Sequence, residues 1–187
     1  MTNPQYLQDV TVCCVPISAV PVIGAKVIAA ASSDEKLEFV KQLKPDYLLN
    51  YNECDLKEAV KDLTEGRGAD VIYDPVGGDL FDQCCRCINW NGRLLVIGFT
   101  SGRIPSYKAN LSLLKGSAMV GVFLGRFRKE EPQAYEQNFR ELLDMYREGK
   151  LNPIVTKSFA LEDFVDAFNI FNQRKAMGKV TLELKQE

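Results

Sequence analysis

Ser32 and Lys36 stand four residues apart, just after the apolar run Lys26-Val-Ile-Ala-Ala-Ala31. A hydroxyl and an ammonium at that spacing can together hold an anionic oxygen, since both are hydrogen-bond donors and one carries charge. The run itself ends Ala30-Ala31-Ser32. A site for a ribose with free hydroxyls usually has an acid at such a strand end. Small polar groups and a lysine leave room, and positive charge, for a ribose that carries a 2′-phosphate. A plainer role is open to the same residues. Ser32 could cap a helix start with Glu35 reaching back to it, and Lys36 could lie on a solvated face. The two roles are compatible, because backbone N–H groups at a helix start serve a cap and an anion alike.

Tyr51 follows a second candidate strand, Asp46-Tyr-Leu-Leu-Asn50. Its ring could stack on a purine or simply pack. Pro75-Val-Gly-Gly78 and Gly98-Phe-Thr-Ser-Gly102 follow two further apolar runs. Gly98 and Gly102 permit close backbone approach to a ligand, although an ordinary strand-to-helix turn needs the same residues. In a doubly wound sheet, ligands bind outside the carboxyl ends of the strands. These four segments are therefore the candidate site.

Six cysteines are present, at positions 13, 14, 54, 84, 85 and 87, and the chain has no histidine. Cys84, Cys85 and Cys87 are spaced too tightly for the usual zinc pairs. Buried packing on a helix is the expectation for them, as reduced thiols in a reducing compartment. The lack of histidine excludes Ser-His and Cys-His nucleophile schemes.

The elements that position these residues follow from periodicity. Short apolar runs at 26–31, 46–50, 70–74 and 93–98 read as buried strands. Amphipathic stretches lie between them. Leu37, Val40 and Leu43 share one helical face, ended by Pro45. A second helix opens at Asp55, with Glu58 three residues on and Gly66 and Gly68 as its stop. A third runs from Asp79 through Ile88. Strands alternating with such helices predict a single α/β domain built on a doubly wound parallel sheet. After a polar loop at Asn110–Lys115 comes a strand over Ala118–Phe123, then a helix from Pro132 to Glu148 stopped by Gly149. A last helix carries Leu161, Phe164, Val165, Phe168 and Phe171, and Val180–Leu184 alternates as a strand. The length of 187 residues suits one such domain. A net charge of -2 argues against nucleic acid or an anionic membrane as partner. No apolar run reaches the length of a membrane span. Met1–Asp9 carries no Lys or Arg, which reads poorly as a leader, so an intracellular setting, cytoplasmic or mitochondrial, is expected.

Gly24-Ala-Lys-Val-Ile-Ala-Ala-Ala-Ser-Ser-Asp-Glu-Lys36, Leu49-Asn-Tyr51, Asp74-Pro-Val-Gly-Gly78, Gly92-Arg-Leu-Leu-Val-Ile-Gly-Phe99 and Met177-Gly-Lys-Val180 occur in that order. Together they resemble the cofactor domain of the zinc-free quinone oxidoreductases, a branch of the medium-chain dehydrogenase/reductase superfamily. The resemblance spans Gly24–Leu184 and implies a Rossmann-like fold. It implies NADPH as cofactor, with hydride passing to a small quinone or enone without a metal. Ser32 and Lys36 would then contact the adenosine ribose phosphate, and Tyr51 the adenine. Gly98 and Phe99 would line the passage toward the nicotinamide, and Val122, Phe123 and Leu124 would lie beside it. The strand at 118–123 would pair with its copy in a homodimer.

Residues 1–23 depart from the family pattern. Cys14-Val-Pro-Ile-Ser-Ala-Val-Pro-Val-Ile23 has no glycine and two prolines where the family has a glycine-rich pyrophosphate turn. The expectation is an atypical segment at 1–23, an incomplete first strand–helix unit, a dinucleotide-binding domain at 24–187, and no GroES-like catalytic domain. An NADPH-dependent reductase and a non-catalytic, truncated form that keeps the folded cofactor domain and its dimer edge both fit these features.

Overall fold

A computed structural model describes residues 10–13, 24–173 and 175–184. Six strands form one parallel sheet: β1 (Val10–Cys13), β2 (Lys26–Ala31), β3 (Tyr47–Asn50), β4 (Ala69–Asp74), β5 (Ile88–Val96) and β6 (Ala118–Gly121). Their spatial order is β3-β2-β1-β4-β5-β6. Val27, Ile28, Ala29 and Ala30 of β2 are all buried, as expected of an inner strand covered on both faces. The short strand β1 lies between β2 and β4, with Val12 opposite both Ile28 and Ile72. Strand order therefore reverses at β1, the switch point where open α/β sheets hold ligands. The expectations for residues 14–23 lie outside the described residues.

Helix α1 (Asp34–Val40) continues into a short 3₁₀ turn at Lys41–Leu43. Its cap is Ser33, and not Ser32 as the spacing suggested. Ser33 has the extended backbone of an N-cap, and its hydroxyl accepts from the Lys36 N–H at 3.4 Å. Ser32 is thereby left for another contact. Helix α2 (Leu56–Leu63) is capped by the Asp55 carboxylate, which accepts from the Glu58 N–H at 3.1 Å. It stops where the Thr64 hydroxyl donates to the Val60 carbonyl and accepts from the Gly68 N–H. Gly68 has φ +95°, and a β-carbon there would collide with the Cys87 carbonyl oxygen. Only glycine fits that close approach.

Helix α3 (Gly78–Cys87) carries the tight cysteine group. Cys84, Cys85 and Cys87 are buried together with Leu80 and Phe81, against Ile28, Leu56, Val60, Ile72 and Leu94. They are core packing. Burial, reinforced by the Asp82 carboxylate, pushes the Cys85 thiol up to about 11.

Several segments differ from the sequence expectation: the strand expected over 118–123 ends at Gly121, and the helix at Leu124–Glu130 and the strand at Val155–Ala160 were not foreseen. Asn110–Lys115 is helix α4, not a polar loop. The Lys115 ammonium, which ends it, donates to the carbonyls of Arg86 and Ile88 at 3.0 and 2.8 Å, so α4 docks at the end of α3. Strand β5 starts five residues before Arg93 through an irregular pairing of Ile88 with Ala69. After β6 come α5 (Leu124–Glu130) and α6 (Pro132–Arg147). A separate two-stranded parallel sheet pairs β7 (Val155–Ala160) with β8 (Lys179–Glu183) around α7 (Phe164–Asn172). The apolar face of α6 is not in the core: Leu142, Leu143 and Tyr146 remain exposed and line a cavity.

Candidate functional site

Because the sheet is parallel, the ends of β2, β3, β4 and β5 emerge on one side. A cavity of about 1360 Å³ opens there. Ser32, Lys36 and Tyr51 line its first wall, and Val76, Asp79, Thr100 and Ser101 line the wall toward β4 and β5. The α6 residues named above, with Pro153, Met177 and Lys179, close the far side. Among the described lining residues, Lys36 and Lys179 are cationic and Asp79 is acidic.

At the β2 end, the Lys36 ammonium donates to the Ser32 hydroxyl at 3.2 Å. The β3 end holds this turn from the side. The Asn52 amide donates to the Ser32 carbonyl at 2.8 Å, and the Tyr51 N–H donates to the Ala31 carbonyl at 3.0 Å. The Asn50 amide reaches Asp34 at 2.9 Å. Tyr51 is half-buried, packed against the core and open to the cavity on its other side.

At the β4 end, the Asp74 carboxylate is buried and accepts from the N–H groups of Val76 and Gly77 at 2.8 and 2.9 Å. Hydrogen bonds to a carboxylate are among the stronger ones, so this turn is held firmly. The loop after β5 is laced onto it. Thr100 N–H donates to Pro75 O and Ser101 N–H to Val76 O, both at 3.0 Å. Gly77 has φ +68°, and a β-carbon on it would press on the Phe99 ring at 3.0 Å. Arg103 then ties the loop to Asp79 and Asp82 on α3 at 2.7 and 3.2 Å.

The expected site residues thus fall into two groups. Ser32, Lys36 and Tyr51 share the cavity wall. Gly98 and Phe99 lie beyond it, beside the Asp74–Gly77 turn, with Phe99 exposed. Val122 is fastened to the end of β5 through its N–H to Val96 O at 3.0 Å. Phe123 and Leu124 project from the start of α5 and are exposed. Neither Gly98–Phe99 nor Val122–Leu124 lines the cavity itself. The sequence placed Asn50 at a candidate strand end without giving it a role, and did not single out Asn52, Asp74 or Asp79. Their signal was position alone: each sits at, or within five residues of, a strand end.

A six-stranded parallel sheet in the 3-2-1-4-5-6 order, with a crevice at its carboxyl ends, is a Rossmann-like dinucleotide-binding fold. The family profile described as "Zinc-binding dehydrogenase" matches residues 13–145, and the chain belongs to that family. It is 41% identical over 169 residues to a quinone oxidoreductase-like protein 2 homolog of Nematostella vectensis, covering 90% of this chain and 46% of that one. It is 40% identical over 167 residues to quinone oxidoreductase-like protein 2 of Bos taurus, covering 89% and 48%. The chain therefore spans about half the length of the curated relatives it matches. A quinone oxidoreductase structure from Pseudomonas syringae superposes with a TM-score of 0.85 at 23% identity, over 94% of this chain and 56% of that one, a likeness of fold. Among the described residues, no group of three or more Cys, Asp or Glu side chains is placed to hold a metal ion. No described helix is long and apolar enough to cross a membrane.

Proposed function

We propose that residues 24–187 form the cofactor domain of an NADPH-dependent reductase of the quinone or enone type, working without a metal. The observation that carries this is the Lys36–Ser32 pair facing a cavity at the β2 end. The residues fit the cofactor. An ammonium and a hydroxyl meet the 2′-phosphate, Tyr51 offers a ring face to the adenine, and the cavity is long enough to reach Thr100 and Ser101. The similarity to proteins named quinone oxidoreductase-like supports the reaction class.

Bound NADPH supplies a hydride to the substrate. The chain's own residues bind and orient. Lys36 and Ser32 anchor the adenosine end by charge-assisted hydrogen bonds. The turn braced by Asp74 fixes Gly98 and Phe99 as the passage toward the nicotinamide end. Val122, Phe123 and Leu124, outside the cavity wall, would pass beside the nicotinamide end as apolar surface. Positioning of two reactants is the main service such a protein gives.

Strand β6 is the outer strand of the described sheet, and Ala118–Gly121 are all exposed. An open edge of this kind favours addition of another strand. A second copy of the chain, paired edge to edge through 118–123, is the proposed partner. The buried thiols of Cys84, Cys85 and Cys87 support an intracellular setting, cytoplasmic or mitochondrial.

Titration of the purified chain with NADPH, followed by cofactor fluorescence, tests the reading. Saturable binding in the micromolar range is expected. A chain with a folded circular-dichroism spectrum and no binding would overturn it, and would leave a non-catalytic chain that keeps the folded domain and its β6 edge.

A further inference from the structure

We infer that Asn50 is a positioning residue for cofactor choice: its side-chain amide holds the Asp34 carboxylate on the β3 side of the β2–α1 turn, away from the Lys36–Ser32 pair. The inference rests on the NADPH reading above and deepens it.

Asp34 is the first residue of α1, two positions after Ser32 and two before Lys36. Residues two apart on a helix point to different sides. Lys36 lines the cavity, and Asp34 does not. What fixes Asp34 on its own side is the Asn50 amide, which donates to its carboxylate at 2.9 Å. Asn50 is itself fixed. It ends β3 opposite Ala31 of β2, and its side-chain oxygen accepts from the Asn52 N–H at 3.1 Å. Asn52 in turn donates to the Ser32 carbonyl. The end of β3 thus holds both the hydroxyl-bearing residue and the nearby acid.

The consequence is electrostatic. A carboxylate free to swing toward Ser32 would repel a dianionic 2′-phosphate. It would also accept hydrogen bonds from the free 2′- and 3′-hydroxyls of NADH, as an acid at this strand end does in NAD sites. Holding it aside leaves Lys36 as the charge that the phosphate meets. Asn50 would act through Asp34 without touching the cofactor.

The test measures dissociation constants for NADPH and NADH on the whole chain by cofactor fluorescence. Asn50→Ala is expected to lower the preference for NADPH over NADH by about fivefold, the scale of one charge acting across several ångströms of water on a phosphate. Asn50→Ala combined with Asp34→Asn is expected to recover the preference, because the released charge is gone. A merely structural role for Asn50 predicts otherwise: both cofactors would weaken together, and the second substitution would restore nothing. That result overturns the inference. So does a preference unchanged in Asn50→Ala. Should Asn50→Ala fail to fold, Asp34→Asn alone decides. A ratio that stays within about twofold supports the inference, and a rise of about fivefold overturns it, since the carboxylate would already oppose the phosphate. A wild-type chain that binds neither cofactor, or both equally, overturns the NADPH reading itself and the inference with it.

Discussion

The ammonium of Lys36 lies 3.2 Å from the hydroxyl of Ser32, four residues back along the chain and on the same cavity wall. The neighbouring Ser33 does the capping, so both groups remain available to an anion. Replacing Lys36 with Ala is expected to weaken NADPH binding by about tenfold, the size of one lost charged hydrogen bond. NADH binding should change little. Paired fluorescence titrations check this, and equal losses for the two cofactors would remove the phosphate role.

Gly66 and Gly68 both have positive φ, at +80° and +95°. They differ in space. A β-carbon on Gly66 meets nothing, while one on Gly68 strikes the backbone of Cys87. Gly66→Ala should therefore cost about 1 kcal/mol, from backbone strain alone. Gly68→Ala should cost clearly more, about 3 kcal/mol, because strain and collision add. Urea unfolding followed by circular dichroism measures both. Equal costs would show that the α2–β4 turn relaxes freely.

Burial, and then the Asp82 carboxylate, raise the Cys85 thiol from 9.0 to about 11. The neutral thiol is the form the fold favours. Between those two values the unfolded chain loses its proton first, so it binds fewer protons than the folded chain and stability falls as pH rises. Below about pH 9 the contribution is fully present. Unfolding midpoints measured from pH 7 to 11 should decline over the upper part of that range, and Cys85→Ala should flatten the decline. A native chain at pH 8 should leave Cys85 unmodified by iodoacetamide.

Met119 and Val120 are exposed on β6, the outer strand of the described sheet. If two copies join there, Met119→Pro should shift the chain from dimer to monomer, because proline removes an N–H that faces the open edge while the Val122 N–H stays bonded to β5. Sedimentation velocity reads the change. A wild-type chain that is monomeric at high micromolar concentration would remove the edge-pairing proposal.

The alternation of apolar runs with amphipathic stretches was enough to foresee a parallel α/β sheet. Each strand and helix carries its own period, and that signal is local. Ser32 and Lys36 were legible for the same reason, since they follow directly on a strand. Other features were decided only when the strands came into register. The choice of Ser33 over Ser32 as cap turned on backbone angles that two adjacent serines do not reveal. The α4 helix was hidden in six residues, too few to display a face, and it docks through Lys115 on carbonyls nearly thirty residues away. The contacts of Asn50 with Asp34 and of Asn52 with Ser32 span 16 and 20 residues. They exist because β2 and β3 lie side by side with Ala31 opposite Asn50. Sequence alone singled out Ser32 and Lys36 as candidates for a phosphate. The tertiary structure decided which of them face the cavity and which acid is held away from it, because strand register sets the distance between residues far apart along the chain.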